Sequence, residues 1–314
     1  MKQPELHLIL VNRTPYRVWT GLSHFRTEDF LRGFNPIYHL RLARLLEADL
    51  STEDPNSGAL GMRLLHGLAS EAFFALLFAV LQAPDAPAAW LLLYRPGDLD
   101  ELIRRLEAGK QLPCRWELTD TSWHGIAKTL IPLDDNDVVG GSEVVQRFGK
   151  YWARLAAEFR DGLATWELNS LKHGLRARAA APYFSLGGRQ IPSAEHGSWF
   201  PVRRVKGREV LLNIGCRAWS AHSLLGELTL IAASLTNLLA LLKQLHGIEP
   251  AGRLELELPS EAEFEAAKAP TSQMLSSLSL ARDWPQHLPF KPLDSQVALK
   301  IYQSLGTVTV SRQQ

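Results

Sequence analysis

The sequence predicts a mainly α protein: a helical bundle carrying an inserted β-hairpin and a short N-terminal strand region. Three observations lead there. Long apolar stretches with helical periodicity recur between residues 59 and 246. Capping and breaking residues stand where those stretches begin and end. The turn Lys206-Gly207-Arg208 between two apolar runs marks one hairpin.

Each element follows in order. Leu6 to Val11 is short, apolar and partly alternating, which predicts a strand. Asn35-Pro36 opens a helix reaching Leu50, with Asn as cap and Pro at the first helical position. Asp54-Pro55-Asn56-Ser57-Gly58 closes it, and a second helix runs from Ala59 to Gln82 with Phe73, Leu76, Leu77, Val80 and Leu81 as its buried stripe. A third spans Asp98 to Gly109, acidic at its start and followed by Gly-Lys. A short strand is expected around Trp116, and Asp134 to Asp137 reads as a solvated acidic turn, without the spacing of a calcium loop. A long helix is expected from Ser142 to about Ala180, where Pro182 stops it. The β insert occupies 183–215, and a nearly all-apolar helix follows from Ser223 to His246. Beyond Gly247 an alternating run, Leu254 to Leu258, predicts an edge strand, and one more helix is expected near Ser295 to Leu305. The chain thus divides into an N-terminal strand and loop region (1–34), a helical core with its insert (35–247) and a peripheral extension (248–314).

Composition narrows the function classes. Hydrophobic residues make up 46% and charged residues 21%, enough apolar material for a sizeable core. A formal charge of +1 gives no global field toward nucleic acid or anionic membrane. Cys114 and Cys216 form neither a metal-binding spacing nor a disulfide framework, and two reduced thiols suit a cytoplasmic protein. The apolar stretch Ala72 to Leu93 is broken by Gln82, Pro84, Asp85 and Pro87. Leu228 to Leu242 carries Ser234, Thr236 and Asn237 and falls short of the roughly 20 residues a span needs. Both read as core helices, with no membrane role. No phosphate-binding glycine loop, nucleophile elbow or metal motif is present, so neither metal nor cofactor is expected.

The candidate site lies on the long helix. At about 100° per residue, Phe148, Trp152, Leu155, Phe159, Leu163 and Trp166 share one stripe. Continuing it places His173 at its middle, with Asn169 and Arg176 along an edge and Lys172 nearby. Enclosed polar groups require partners. Glu71, above the apolar run of the second helix, would supply one if the two helices pack, as a carboxylate for His173 or Arg176. Arg63 and His66 share that second helix. A satisfied polar network that sets helix register explains the cluster equally well.

The segment Asn169-Ser170-Leu171-Lys172-His173-Gly174 resembles part of the motif of HEPN-type all-helical ribonuclease and defence domains. The resemblance implies RNA as partner, a homodimer with facing motifs, and metal-independent cleavage in which a His acts beside a polar residue and an Arg. The polar position falls on Asn169 and the His on His173, but the Arg position falls on Leu168. Arg followed at the family's spacing by His also occurs at Arg17/His24, Arg32/His39, Arg189/His196, Arg217/His222 and Arg282/His287; Arg217/His222 is the best placed, where a strand passes into the core helix. Arg203, Arg204, Lys206 and Arg208 give the hairpin a basic tip beside Trp199 and Phe200, a pattern that suits nucleic acid. Three readings stay open. The first is a non-enzymatic or degenerate HEPN-like module associated with RNA. The second is an active ribonuclease in which His173 is the acid–base and Arg176 or Lys172 stabilises phosphate. The third is a structural or protein-interaction subunit.

Overall fold

Two apolar helices at the centre organise everything else, because neither can present a polar face to water. In the computed structural model these are the helices Pro55–Gln82 and Ala221–Leu245. The structure describes residues 6–50, 55–133, 140–174, 176–179, 183–186, 189–192, 196–206, 209–249, 255–267 and 273–278. The acidic turn Asp134–Asp137, Gly187-Gly188, Arg208 and the helix expected near Ser295–Leu305 lie outside them.

The chain opens with a hairpin of β1 (Leu6–Val11) and β2 (Thr14–Trp19), followed by α1 (Thr20–Gly33) and α2 (Tyr38–Asp49). The central α3 (Pro55–Gln82) leads into α4 (Pro87–Leu93) and α5 (Pro96–Glu107), and then α6 (Trp123–Leu130), α7 (Gly141–Phe159) and α8 (Gly162–Lys172). The insert comprises β3 (Arg178–Ala179), β4 (Tyr183–Leu186), β5 (Arg189–Pro192), β6 (His196–Lys206) and β7 (Glu209–Trp219). It returns to α9 (Ala221–Leu245), α10 (Glu261–Ala266) and β8 (Gln273–Leu278). The fold is mainly α with an inserted hairpin and N-terminal strands, as the periodicity predicts.

Helix α3 packs on α9, and α2, α4 and α7 also lie against α3. Phe73, Phe74, Leu76, Leu77, Phe78, Val80 and Leu81 are all buried, as are Leu228, Leu230, Ile231, Leu235 and Leu238 of the partner helix. Burial of most of their surface goes with their being long and apolar enough to cross a membrane by length and composition, while they form much of the protein's own interior. Gln82, Ser234 and Asn237, which interrupt them, are paired. Gln82 accepts from the backbone N–H of Asn12 (2.8 Å) and donates to the carbonyls of Asn12 (3.0 Å) and Pro113 (2.8 Å), which pins the β1–β2 turn to the end of α3. Asn12 takes the left-handed φ of 54° that this turn requires.

Strands β3, β6 and β7 of the insert form an antiparallel sheet that β8 from the C-terminal segment completes, in the order β3-β6-β7-β8, with β6 and β7 in register from His196↔Trp219 to Lys206↔Glu209. The pair β4–β5 stands as a separate hairpin. Strand β6 rests on α8.

Several local expectations differ from the structure: the helix expected to open at Asn35-Pro36 begins at Tyr38, and residues 55–58, expected as a loop, are the first turn of α3. The single helix from 142 to 180 is two helices, broken at Arg160–Asp161. Asp161 caps the second by accepting from the backbone N–H of Leu163 (3.0 Å), and its own carbonyl accepts from Thr165. Residues 115–118 form no strand: Trp116 donates its indole N–H to the Val80 carbonyl (2.8 Å), so the segment is tied to a helix end. Residues 255–258 carry no regular structure either, because Asn237 bonds both the N–H (2.7 Å) and the carbonyl (3.0 Å) of Glu257 as a strand neighbour would. Helix α6 goes unread in the sequence, although Ser122 caps it through Gly125.

Candidate functional site

The break at Asp161 decides the site, because it changes which face of the chain turns inward. Trp166, on the expected buried stripe, is 37% exposed, whereas Glu167 is fully buried. A carboxylate drawn into the interior needs cations and donors around it. Arg63 of α3 supplies them: its Nε donates to Glu167 Oε2 at 3.0 Å and its Nη2 meets the same oxygen at 2.9 Å. That Nη2 also reaches Glu158 Oε1 of α7 at 2.9 Å. Ser198 of β6 donates to the other oxygen of Glu167. Arg217 of β7 stands 3.5 Å from both Glu167 and Glu158 and 3.7 Å from Asp161.

His66, one turn beyond Arg63, extends the network to α9. Its Nδ1 lies 3.0 Å from Arg63 Nη1, and its Nε2 lies 2.5 Å from Glu227 Oε2. A guanidinium only donates, so Nδ1 is the acceptor and the ring proton sits on Nε2, where Glu227 takes it. The second oxygen of Glu227 faces Arg154 at 3.5 Å, and its backbone carbonyl accepts from Tyr151 (2.9 Å). One polar chain therefore joins α3, α7, α8, α9 and the insert through a buried interior.

The electrostatics follow the pairing. Burial pushes the Glu158 carboxyl upward, but the Arg63 and Arg217 guanidinium groups beside it outweigh that and hold the group at about 2. Burial disfavours the Arg63 charge, and Glu167 and Glu158 more than restore it. Arg217 shifts the other way, lowered by burial and by Arg63 beside it. Burial, with Glu167 near, pushes the Cys216 thiol up to about 11, which makes it an inert thiol rather than a nucleophile.

Above this floor lies a cleft of about 410 Å³, a size that suits a small ligand. Arg63, His66, Glu158 and Glu167 form its polar base, and Leu155, Phe159, Leu168 and Leu171 line its apolar wall. Helices α3 and α8 approach closely because Gly67 has no side chain: a Cβ there would stand 2.5 Å from Leu168 Cδ1.

The expected site residues divide around this cleft. Asn169, Lys172 and Glu71 line it, with Lys172 and Glu71 joined by a 2.7 Å ion pair across its rim. Asn169 and Lys172 are exposed, so the rim is wet. His173 is exposed and terminates α8, its N–H donating to the Asn169 carbonyl at 3.3 Å; Arg176 is exposed beyond it. Neither is among the residues lining the cleft. Arg203, Arg204 and Lys206 lie in β6, paired with Leu212, Leu211 and Glu209 of β7. Of the pair Arg217/His222, Arg217 enters the buried network and His222 is exposed. Glu158, Glu167 and Glu227 escape a reading by motif. Their signal was a carboxylate inside an apolar helical face, plainest for Glu227 within α9.

His66, Glu158 and Glu227 bring ligand atoms within 4.8 Å of one another, a spacing that could hold a metal ion. Binding through His66 Nε2 would need the opposite tautomer, with a proton on Nδ1 facing the Arg63 guanidinium. The arrangement instead commits Nε2 to Glu227. No family model, curated protein or solved structure matches the chain.

Proposed function

We propose that this chain is a non-catalytic, HEPN-like helical module that binds RNA at the cleft between α3, α7 and α8. The supporting observation is that the polar floor is satisfied internally. Both nitrogens of His66 are engaged, by Arg63 and by Glu227, so neither can take a proton from a substrate hydroxyl. Glu158, held at about 2, stays a carboxylate and has no proton to give near neutrality. What remains available is a binding surface. Phe159 and Leu168 offer an apolar face for a nucleobase, the Asn169 amide stands on the rim for base edges, and a phosphate would draw Lys172 from its pair with Glu71. Leu168, where the HEPN motif carries Arg, contributes to that wall and packs against Gly67.

The test is fluorescence anisotropy with single-stranded RNA oligonucleotides of mixed sequence, paired with a gel assay of the same RNAs. Saturable, salt-sensitive binding is expected, weakened about tenfold in the double variant Asn169→Ala/Lys172→Ala, with the RNA left intact. Absence of binding at low salt would overturn the RNA reading and favour a structural subunit. Cleavage that disappears in His173→Ala would replace the non-catalytic reading with the ribonuclease.

A further inference from the structure

A second cavity, of about 350 Å³, opens on the face of α7 turned toward α10, lined there by Glu143 and Gln146 at one end and by Arg147, Lys150, Tyr151 and Arg154 along the rest. These cations recur at three and four residues, which puts them on one helical face. They are unequally satisfied. Arg147 is held by Glu143 at 2.8 Å and by Glu261 of α10 at 3.3 Å. Among the described residues, Lys150 meets the Gln146 amide oxygen, at 3.5 Å. Arg154 reaches Glu227 at a long 3.5 Å and stacks over the Tyr151 ring at 5.4 Å from its centroid. Two adjacent cations with weak partners therefore face a concave space.

The opposite wall differs in kind. Glu261 and Glu265 of α10 border the cavity, and Leu230 and Phe264 form its apolar back. A free anion would gain from Lys150 and Arg154 but would meet two carboxylates across the space. A ligand carrying an anion at one end and hydroxyl donors at the other satisfies both walls. We propose that this groove is a binding site for a small phosphorylated sugar, the phosphate between Lys150 and Arg154 and the hydroxyls toward Glu261 and Glu265. Arg154 is pre-oriented for this, its guanidinium steered from behind by Glu227 and flanked by the Tyr151 ring. The site lies apart from the RNA cleft and does not depend on that reading.

Isothermal titration of the full chain with ribose 5-phosphate, inorganic phosphate and ribose tests it. Ribose 5-phosphate is expected to bind, inorganic phosphate more weakly and ribose not measurably. Lys150→Ala, at an exposed position and expected to stay folded by circular dichroism, should weaken ribose 5-phosphate about tenfold. Glu261→Gln should narrow the preference for the sugar phosphate over phosphate. Asn169→Ala/Lys172→Ala should leave the binding unchanged. The proposal fails if none of the three ligands binds, or if Lys150→Ala binds ribose 5-phosphate like the wild type. Equal affinity for phosphate and ribose 5-phosphate overturns the sugar assignment, and loss of binding in Asn169→Ala/Lys172→Ala places the ligand in the other cleft.

Discussion

At the scale of single residues, Glu158 shows how the interior tolerates ionised groups. Its carboxylate is mostly enclosed, and burial alone would favour the neutral acid, yet Arg63 at 2.9 Å and Arg217 at 3.5 Å hold it ionised. The linkage to stability has a definite sign. The folded group titrates at about 2, below the ordinary value of 4.5, so its contribution is present above pH 4.5 and is lost as pH falls toward 2. Acid unfolding followed by circular dichroism should therefore steepen in that window, and Glu158→Gln should flatten the acid limb while lowering stability near neutrality. An unchanged acid limb in the variant would show that Glu158 is not the group responsible. Arg63 and His66 were visible in the sequence as polar residues on an apolar helix, but their partners were not. Glu158, Glu167 and Glu227 lie on three helices distant in the chain, and no spacing rule connects them.

Among the elements, the junction between α7 and α8 carries the largest consequence. Periodicity runs cleanly through Phe148, Trp152, Leu155 and Phe159, and extrapolating it keeps His173 inside the core stripe. The signal against extrapolation was Asp161-Gly162, an N-cap followed by a flexible residue. The restart rotates the face that follows, and so Trp166 turns toward solvent while Glu167 turns inward. Asp161 serves as cap and also lies 3.7 Å from Arg217. The two roles separate by substitution. Asp161→Asn keeps the capping oxygen and should cost little, whereas Asp161→Ala should lower stability by about 1 kcal/mol in denaturant titration. Equal losses in both variants would mean that the charge, rather than the cap, sustains the helix start.

For the whole molecule, the buried polar chain joins the β insert to the bundle. Ser198 and Arg217 come from β6 and β7, and both converge on Glu167 of α8, which Arg63 anchors to the central α3. Breaking one member strands the other charges in the interior, at a cost of about 3–5 kcal/mol. Arg217→Ala should therefore raise amide hydrogen exchange in β6, β7 and α8 together, while the centre of α3 and α9 keeps its protection. Uniform loss of protection across the chain would indicate that the insert and the bundle unfold as one unit.

The sequence by itself determined the helical class, the two apolar helices at the centre and the hairpin near Lys206-Gly207-Arg208. These follow from periodicity, caps and turns, which act over one or two helical turns and leave a local record. Only the tertiary structure decided that His173 is an exposed helix terminus, that Glu71 pairs with Lys172, and that the ionised interior is built from Arg63, His66, Glu158, Glu167, Arg217 and Glu227. Those outcomes depend on which helices meet and at what rotation. A single capping residue at Asp161 sets that rotation, and burial then requires each inward-turned charge to find a partner from a distant part of the chain.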